Sequence, residues 1–189
     1  MTHHRRRNNG IDPSKINETV ELSPAQRYAA FKQTQAKQRT VAAEFARSMP
    51  FELDEFQMQA NDALEAGDNV LVAAPTGAGK TVAADFAIYL AQTRNVKAFY
   101  TTPIKALSNQ KYHDLVDQYG TDKVGLLTGD TSINSEADIV VMTTEVLRNM
   151  LYEHSVTLEA LRYVILDEVH YLADRFRGPV WEEVIIHLP

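Results

Sequence analysis

The 189-residue sequence contains no cysteine, which excludes disulfide bonds and thiolate metal sites and fits a protein of the reducing cytoplasm. It also lacks any apolar run close to the roughly 20 residues that a membrane-spanning helix needs. The three arginines at 5–7 are not followed by an apolar segment, so no secretory signal is expected. These absences together predict a cytoplasmic protein without a membrane partner.

An excess of positive charge is missing as well. The chain has 19 Lys and Arg residues against 25 Asp and Glu residues, a net charge of −6. This balance argues against non-specific electrostatic binding to nucleic acid. Nucleic acid itself remains possible, because backbone N–H groups and helix N-termini also bind phosphates.

The organisation of the chain changes twice along its length. Residues 1–22 are polar and predict a disordered basic tail. Ser23-Pro24 is a typical helix start and predicts a helical extension over 23–48. Over 49–189, short apolar strands, the first at 69–74, alternate with helices. This alternation predicts an α/β fold with a mostly parallel sheet and helices on both faces.

Residues 74–81, Ala-Pro-Thr-Gly-Ala-Gly-Lys-Thr, form a predicted phosphate-binding loop between a strand and a helix. Gly77 and Gly79 allow successive N–H groups to point inward. Lys80 supplies a cation for the terminal phosphates, and the Thr81 hydroxyl is a candidate Mg²⁺ ligand. The expected contacts to the nucleotide in this loop are Pro75, Thr76, Gly77, Ala78, Gly79, Lys80 and Thr81.

The run Tyr-Val-Ile-Leu-Asp-Glu at 163–168 predicts a buried strand whose carboxylates, Asp167 and Glu168, emerge at its C-terminal end. Ligands of parallel sheets bind at the C-terminal ends of the strands. Asp167 is therefore a candidate Mg²⁺ ligand, and Glu168 a candidate for orienting or deprotonating an attacking water. With Lys80, these are the predicted catalytic residues.

The run Asp167-Glu168-Val169-His170 resembles motif II of the DEVH-box helicases of superfamily 2, specifically the Ski-like RNA helicases. The loop also has this family's form, with Ala74 where the general signature has glycine. The resemblance covers about 51–189. It implies an incomplete RecA-like P-loop domain with ATP and Mg²⁺ as cofactors, RNA rather than DNA as substrate, and RNA-degradation machinery as partner. It also makes His170 a link between the ATP site and the nucleic acid.

Residues 51–57 resemble the family's adenine-reading element. The amide of Gln57 can pair with the adenine edge, and Phe51 can stack on the ring. The alternative is a helix entry that buries Phe51, Leu53 and Phe56.

Three further segments resemble the family's strand-binding motifs: 101–107 (motif Ia), 128–130 (the glycine element) and 143–148 (motif Ib). We expect helices capped by threonine there, with free N–H groups for phosphates. The predicted contacts to nucleic acid are Thr102, Pro103, Lys105, Asn109, Gly129, Thr144 and Arg148. After motif II, Arg177 and Gly178 are expected to brace the site.

The sequence ends before the family's Ser-Ala-Thr motif and second RecA-like domain. The resemblance therefore implies that the chain alone binds ATP weakly and hydrolyses it poorly. Two alternatives remain open: a DNA helicase or translocase of the same superfamily, and a nucleotide-gated nucleic-acid-binding module without turnover of its own.

Overall fold

The computed structural model describes residues 23–26, 28, 32 and 39–188, and the contacts group the chain into two units, Met1–Thr40 and Val41–Pro189. In the first unit, Ser23 Oγ accepts the N–H of Gln26 at 3.3 Å, and Gln26 Oε1 accepts the N–H of Ser23 at 2.8 Å. This reciprocal pair confirms the predicted helix start at Ser23. The predicted tail over 1–22 and most of the predicted extension up to residue 38 lie outside the described residues.

The second unit is built on a five-stranded sheet with the order β3-β2-β4-β1-β5. All neighbouring strands pair in parallel except β2 and β3, which are antiparallel. This arrangement confirms the predicted α/β fold with a mostly parallel sheet. The strands are β1 (Lys97–Thr102), β2 (Val124–Thr128), β3 (Thr131–Ile133), β4 (Ile139–Thr143) and β5 (Leu161–Leu166).

Helices cover both faces of the sheet. Alternate strand residues point to opposite sides, so each face has apolar side chains that pack against helices. On β1, Phe99 packs in one apolar cluster and Tyr100 in another. Leu147 and Val184 belong to the first cluster, and Ile88 and Leu115 belong to the second. The helices are α1 (Val41–Ser48), α2 (Glu55–Ala66), α3 (Thr81–Thr93), α4 (Lys105–Tyr119), α5 (Thr144–Tyr152) and α6 (Gly178–His187), with 3₁₀ turns at Val156–Leu158 and Val169–Ala173.

Helix α1 belongs to the second unit, although the sequence assigns it to the helical extension. Its Phe45 is buried, with its ring centroid 5.2 Å from that of Phe86 and 5.3 Å from that of Tyr89 on α3. The N–H groups of Val41 and Ala42 donate to the carboxylate of Glu65 on α2 at 3.0 and 2.8 Å. These contacts fix α1 on the helices that flank the phosphate loop.

The predicted strand at 69–74 is wrong for the described fold. The segment has no strand assignment, and Leu71 is 77% exposed. An apolar run becomes a strand only when a neighbouring edge takes up its N–H and C=O groups. Each of the five described strands pairs within the sheet, and none of them pairs with this segment. In the described part of the chain, no helix combines the length and hydropathy needed to cross a bilayer.

Candidate nucleotide and nucleic-acid sites

The backbone of the phosphate loop depends on its two glycines. Gly77 has φ +83° and Gly79 has φ +76°, in the left-handed region that side chains with a Cβ disfavour. Gly79 has a second reason to be glycine, since a Cβ there would lie 2.6 Å from Gln57 Nε2. The Ala78 N–H donates to Pro75 O at 3.2 Å and closes the turn that contains Thr76.

Lys80 holds its ammonium group across this loop. Its Nζ donates to Ala74 O at 2.8 Å and to Pro75 O at 3.0 Å, and the residue is exposed. Thr81, also exposed, is the first residue of α3. A phosphate approaching the loop would meet a cation and the N-terminal end of a helix, both of which favour negative charge.

Gln57 is buried beside the loop. Its Oε1 accepts the N–H of Asp54 at 2.8 Å, and its Nε2 donates to Gly79 O at 3.0 Å. One N–H and one lone pair of the amide remain for another partner. Phe51 is 50% exposed, so the alternative in which the helix entry buries its ring is wrong for this residue.

Asp167 follows the C-terminal end of β5, and both of its carboxylate oxygens have donors. Oδ1 accepts the N–H of Glu168 at 2.8 Å, and Oδ2 accepts the hydroxyl of Tyr100 at 2.6 Å. The Asp167 N–H donates to Thr101 O at 3.0 Å, which anchors the residue to β1. Burial, with the neighbouring Asp167 carboxylate, raises the pKa of Tyr100, so its hydroxyl stays protonated and donates.

Tyr100 was missed in the sequence, although a signal was present. A buried tyrosine normally directs its hydroxyl to a hydrogen-bond partner. Tyr100 lies in an apolar strand and is 1% exposed in the structure. A tyrosine in such a strand indicates that its hydroxyl has a polar partner. Lys111 Nζ lies 4.9 Å from the centre of the Tyr100 ring and pairs with Asp85 at 2.9 Å.

Glu168 has φ +59°, which is rare for a residue other than glycine. Its Oε2 lies 3.1 Å from His170 Nδ1, and the His170 side chain is largely exposed. Backbone strain of this kind concentrates at functional sites. The positive φ therefore supports a functional role for Glu168.

The side chains suited to Mg²⁺ are few. Among the described residues, no three His, Asp or Glu side chains group together as metal ligands would. Mg²⁺ bound with a nucleotide typically uses one or two protein ligands and completes its shell with phosphate oxygens and water. Thr81 and Asp167 match this hard-oxygen donor set.

The predicted strand-binding residues fall into two groups. A cleft of about 380 Å³ brings together Pro103 and Lys105 of motif Ia with Gly129 of the glycine element. Thr102, Asn109, Thr144 and Arg148 do not line it. The full lining is Pro103, Ile104, Lys105, Gly129, Thr143, Glu145, Val146, Asn149 and Arg177.

The predicted threonine cap is wrong for α4, whose N-cap residue is Ile104. Helix α5 does have a threonine, Thr143, as its N-cap residue, but the side chain makes no capping hydrogen bond. Thr102 is buried, with its Oγ1 2.7 Å from Ser108 Oγ and 3.1 Å from Ile104 O. Thr144 is buried too and donates to Thr102 O at 3.2 Å. Both hydroxyls tie β1, α4 and α5 together.

Both predicted cations of this edge have acidic partners. Lys105 Nζ lies 2.5 Å from Asp130 Oδ2, and Arg148 Nη1 lies 3.7 Å from Glu183 Oε2. The hydrogen bond from Lys105, with a second from Thr128, lowers the pKa of Asp130, which keeps it charged. Arg148 also donates to Asn149 Oδ1 at 3.1 Å.

Comparisons with known proteins give consistent matches. Residues 54–189 match the family described as DEAD/DEAH box helicase. The chain is 62% identical over 147 residues to "Probable helicase HelY" of Mycobacterium leprae, covering 78% of this chain and 16% of that protein. It is 54% identical over 144 residues to "Antiviral helicase SKI2" of Saccharomyces cerevisiae, covering 76% and 11%. A hypothetical ATP-dependent RNA helicase from Sulfolobus tokodaii matches in structure with a TM-score of 0.57 and 27% identity, covering 78% and 45%.

Proposed function

The chain belongs to the DEAD/DEAH box helicase family, and on this premise we propose that it is the ATP-binding half of an RNA helicase motor. The resemblance to Ski-like helicases of superfamily 2 is confirmed by the similarity to SKI2 and HelY. The proposed motor couples ATP hydrolysis to movement along RNA and to its unwinding. The chain spans 11% of SKI2 and 16% of HelY, so the activity of a whole protein is part of the proposal.

One observation carries the ATP assignment: a loop with two left-handed glycines and a lysine, in the same unit as an acidic pair at the end of a parallel strand. We assign the nucleotide phosphates to the loop over 75–81, with Lys80 as their cation. Thr81 and Asp167 would hold Mg²⁺, which neutralises the charge that develops on the phosphates. Glu168 would orient the attacking water.

The adenine end of the nucleotide is assigned to Gln57 and Phe51. The amide of Gln57 keeps one donor and one acceptor beside the loop, which matches the paired donor and acceptor on the adenine edge. The half-exposed ring of Phe51 is available for stacking. Because Gln57 Nε2 also donates to Gly79 O, a movement of Gln57 at the adenine end would be transmitted to the phosphate loop through this hydrogen bond.

The nucleic acid is assigned to the cleft that contains Pro103, Lys105 and Gly129. The backbone at Gly129 has no side chain in the way of a strand. His170 contacts Glu168 and faces solvent, which suits a residue that links the two sites. Asn109 on α4 and Arg148 on α5 lie outside the cleft, where they would contact a longer strand.

RNA is favoured over DNA by the resemblance to the Ski-like RNA helicases and by the similarity to a hypothetical ATP-dependent RNA helicase. RNA-degradation machinery and a cytoplasmic location are proposed on the same resemblance. We also propose that the 189 residues alone turn over ATP slowly, because an arginine supplied by a second domain accelerates related hydrolases by about 10³–10⁵.

The experiment that tests the substrate is a comparison of ATP hydrolysis by the full-length protein with single-stranded RNA, with single-stranded DNA and with neither. RNA helicase function predicts stimulation by RNA well above that by DNA. Stimulation by DNA alone would assign the DNA-translocase alternative. If neither strand changes the rate while both bind, the nucleotide-gated binding module is the better account.

A further inference from the structure

The cleft over Pro103, Lys105 and Gly129 contains two cationic side chains, and only one has an acidic partner. Lys105 is paired with Asp130. The other is Arg177, and within the described part of the chain its guanidinium makes no salt bridge and no side-chain hydrogen bond. Glu145 also lines the cleft. Arg177 is therefore the cation of this cleft whose donors are free.

Asp174, three residues before Arg177, already has hydrogen-bond partners. Asp174 Oδ1 accepts the backbone N–H groups of Phe176 and Arg177, each at 2.9 Å. These two hydrogen bonds lower the pKa of Asp174, and the charge of Arg177 contributes less. The carboxylate thus fixes the backbone of Arg177 instead of closing an ion pair with its side chain.

The surrounding structure fixes the position of Arg177. Arg177 is the N-cap residue of α6. The next residue, Gly178, is packed so closely that a Cβ there would lie 2.5 Å from Leu172 O. The guanidinium carbon lies 5.4 Å from the centre of the Tyr171 ring. A guanidinium beside an aromatic ring keeps its N–H donors available, because such contact engages its π-face and not its edge.

We propose that Arg177 binds a phosphodiester group of the nucleic-acid strand in this cleft, an assignment that rests on the proposed strand-binding function. A planar fork of N–H donors suits the paired oxygens of a phosphate. Contacts to phosphate position a strand without reading its bases or sugars. Arg177 therefore contributes affinity equally for RNA and DNA, and the choice between them lies elsewhere.

The test compares Arg177→Gln with Arg175→Gln. Both remove one positive charge, but Arg175 is exposed and does not line the cleft. Binding of fluorescent oligouridine and oligothymidine is measured by anisotropy over a range of salt concentrations. We expect R177Q to weaken binding of both strands about tenfold, as for a lost charged hydrogen bond. Its slope of log affinity against log salt should fall by about 0.7, as for one phosphate contact on a single strand. R175Q should stay within about twofold of the unsubstituted chain.

Two further measurements separate the possible outcomes. Arg177→Lys keeps the charge without the planar fork and should recover part of the affinity, with a salt slope like that of the unsubstituted chain. ATP binding by R177Q should be unchanged, which shows that the variant is folded. Equal affinities and salt slopes for R177Q and R175Q would overturn the assignment of Arg177. Failure of the unsubstituted chain to bind either strand at low salt would instead overturn the proposed strand-binding function, and the Arg177 contact with it.

Discussion

The hydroxyl of Tyr100 donates a hydrogen bond of 2.6 Å to Asp167 Oδ2, joining the middle of β1 to the residue that follows β5. The backbone N–H of Glu168 donates to the other carboxylate oxygen. The proposed Mg²⁺ ligand is therefore oriented by the sheet itself. Because Tyr100 is buried and its pKa is raised, this donor persists across the physiological pH range.

Replacing Tyr100 by Phe should weaken Mg²⁺-dependent nucleotide binding. Hydrogen bonds that orient a metal-binding carboxylate typically contribute about 10–100-fold in metal affinity. We expect the Mg²⁺ concentration for half-maximal binding of a fluorescent ATP analogue to rise about tenfold in Y100F. Tyr119→Phe is the matched control: this tyrosine is partly buried, and its hydroxyl accepts a 3.4 Å hydrogen bond from Gln118. An unchanged Mg²⁺ midpoint in Y100F would remove Tyr100 from this role.

Substitution of the two loop glycines by alanine should have unequal effects. At Gly77 a Cβ meets nothing within 4 Å, so G77A incurs only the left-handed backbone strain, about 1–2 kcal/mol. At Gly79 the Cβ also collides with Gln57 Nε2. G79A should therefore lose more free energy of unfolding in urea than G77A, and more ATP affinity. Equal losses would show that Gln57 moves away without consequence.

Features that depend on residues close together in the sequence were predicted, and contacts between residues far apart in the sequence were missed. The loop over 74–81 and the acidic pair were predictable, because glycine at positive φ and a carboxylate after a strand are local requirements. The Tyr100–Asp167 bond joins residues 67 positions apart, and the Arg177 cleft joins three motifs through tertiary packing. The contact of Thr144 was missed for the same reason, since its hydroxyl donates to Thr102 O across 42 positions.

Replacing Asn61 on α2 by leucine should stabilise the protein. It is 1% exposed, and within the described residues neither Oδ1 nor Nδ2 has a hydrogen-bond partner. Leucine has a similar shape, avoids the cost of burying an unpaired amide, and favours the helix. We expect N61L to raise the free energy of unfolding by about 1–2 kcal/mol in urea titrations. Asp62→Leu, at an exposed position of the same helix, reports the gain from helix propensity alone. A loss of stability in N61L would reveal a partner for the amide.

Glu168→Gln should separate ATP binding from hydrolysis. The change keeps the size of the side chain but removes the charge that orients or deprotonates the attacking water. In the full-length protein, E168Q is expected to bind ATP with unchanged affinity while its steady-state turnover falls by at least about 100-fold. Retained turnover would assign the water to another residue.

The most direct test of the account is the binding of ATP and Mg²⁺ to this chain, measured by calorimetry for the unsubstituted form and for Lys80→Ala. Lys80 is the cation of the phosphate loop, and its present partners are two loop carbonyls, so its loss leaves the bound phosphates without their nearest positive charge. Lys123→Ala, a change at an exposed lysine between α4 and β2, serves as the control. The account predicts saturable binding that K123A retains and that K80A loses by at least about 100-fold. Equal affinity in K80A and K123A would contradict the assignment of the loop, and with it the proposed motor.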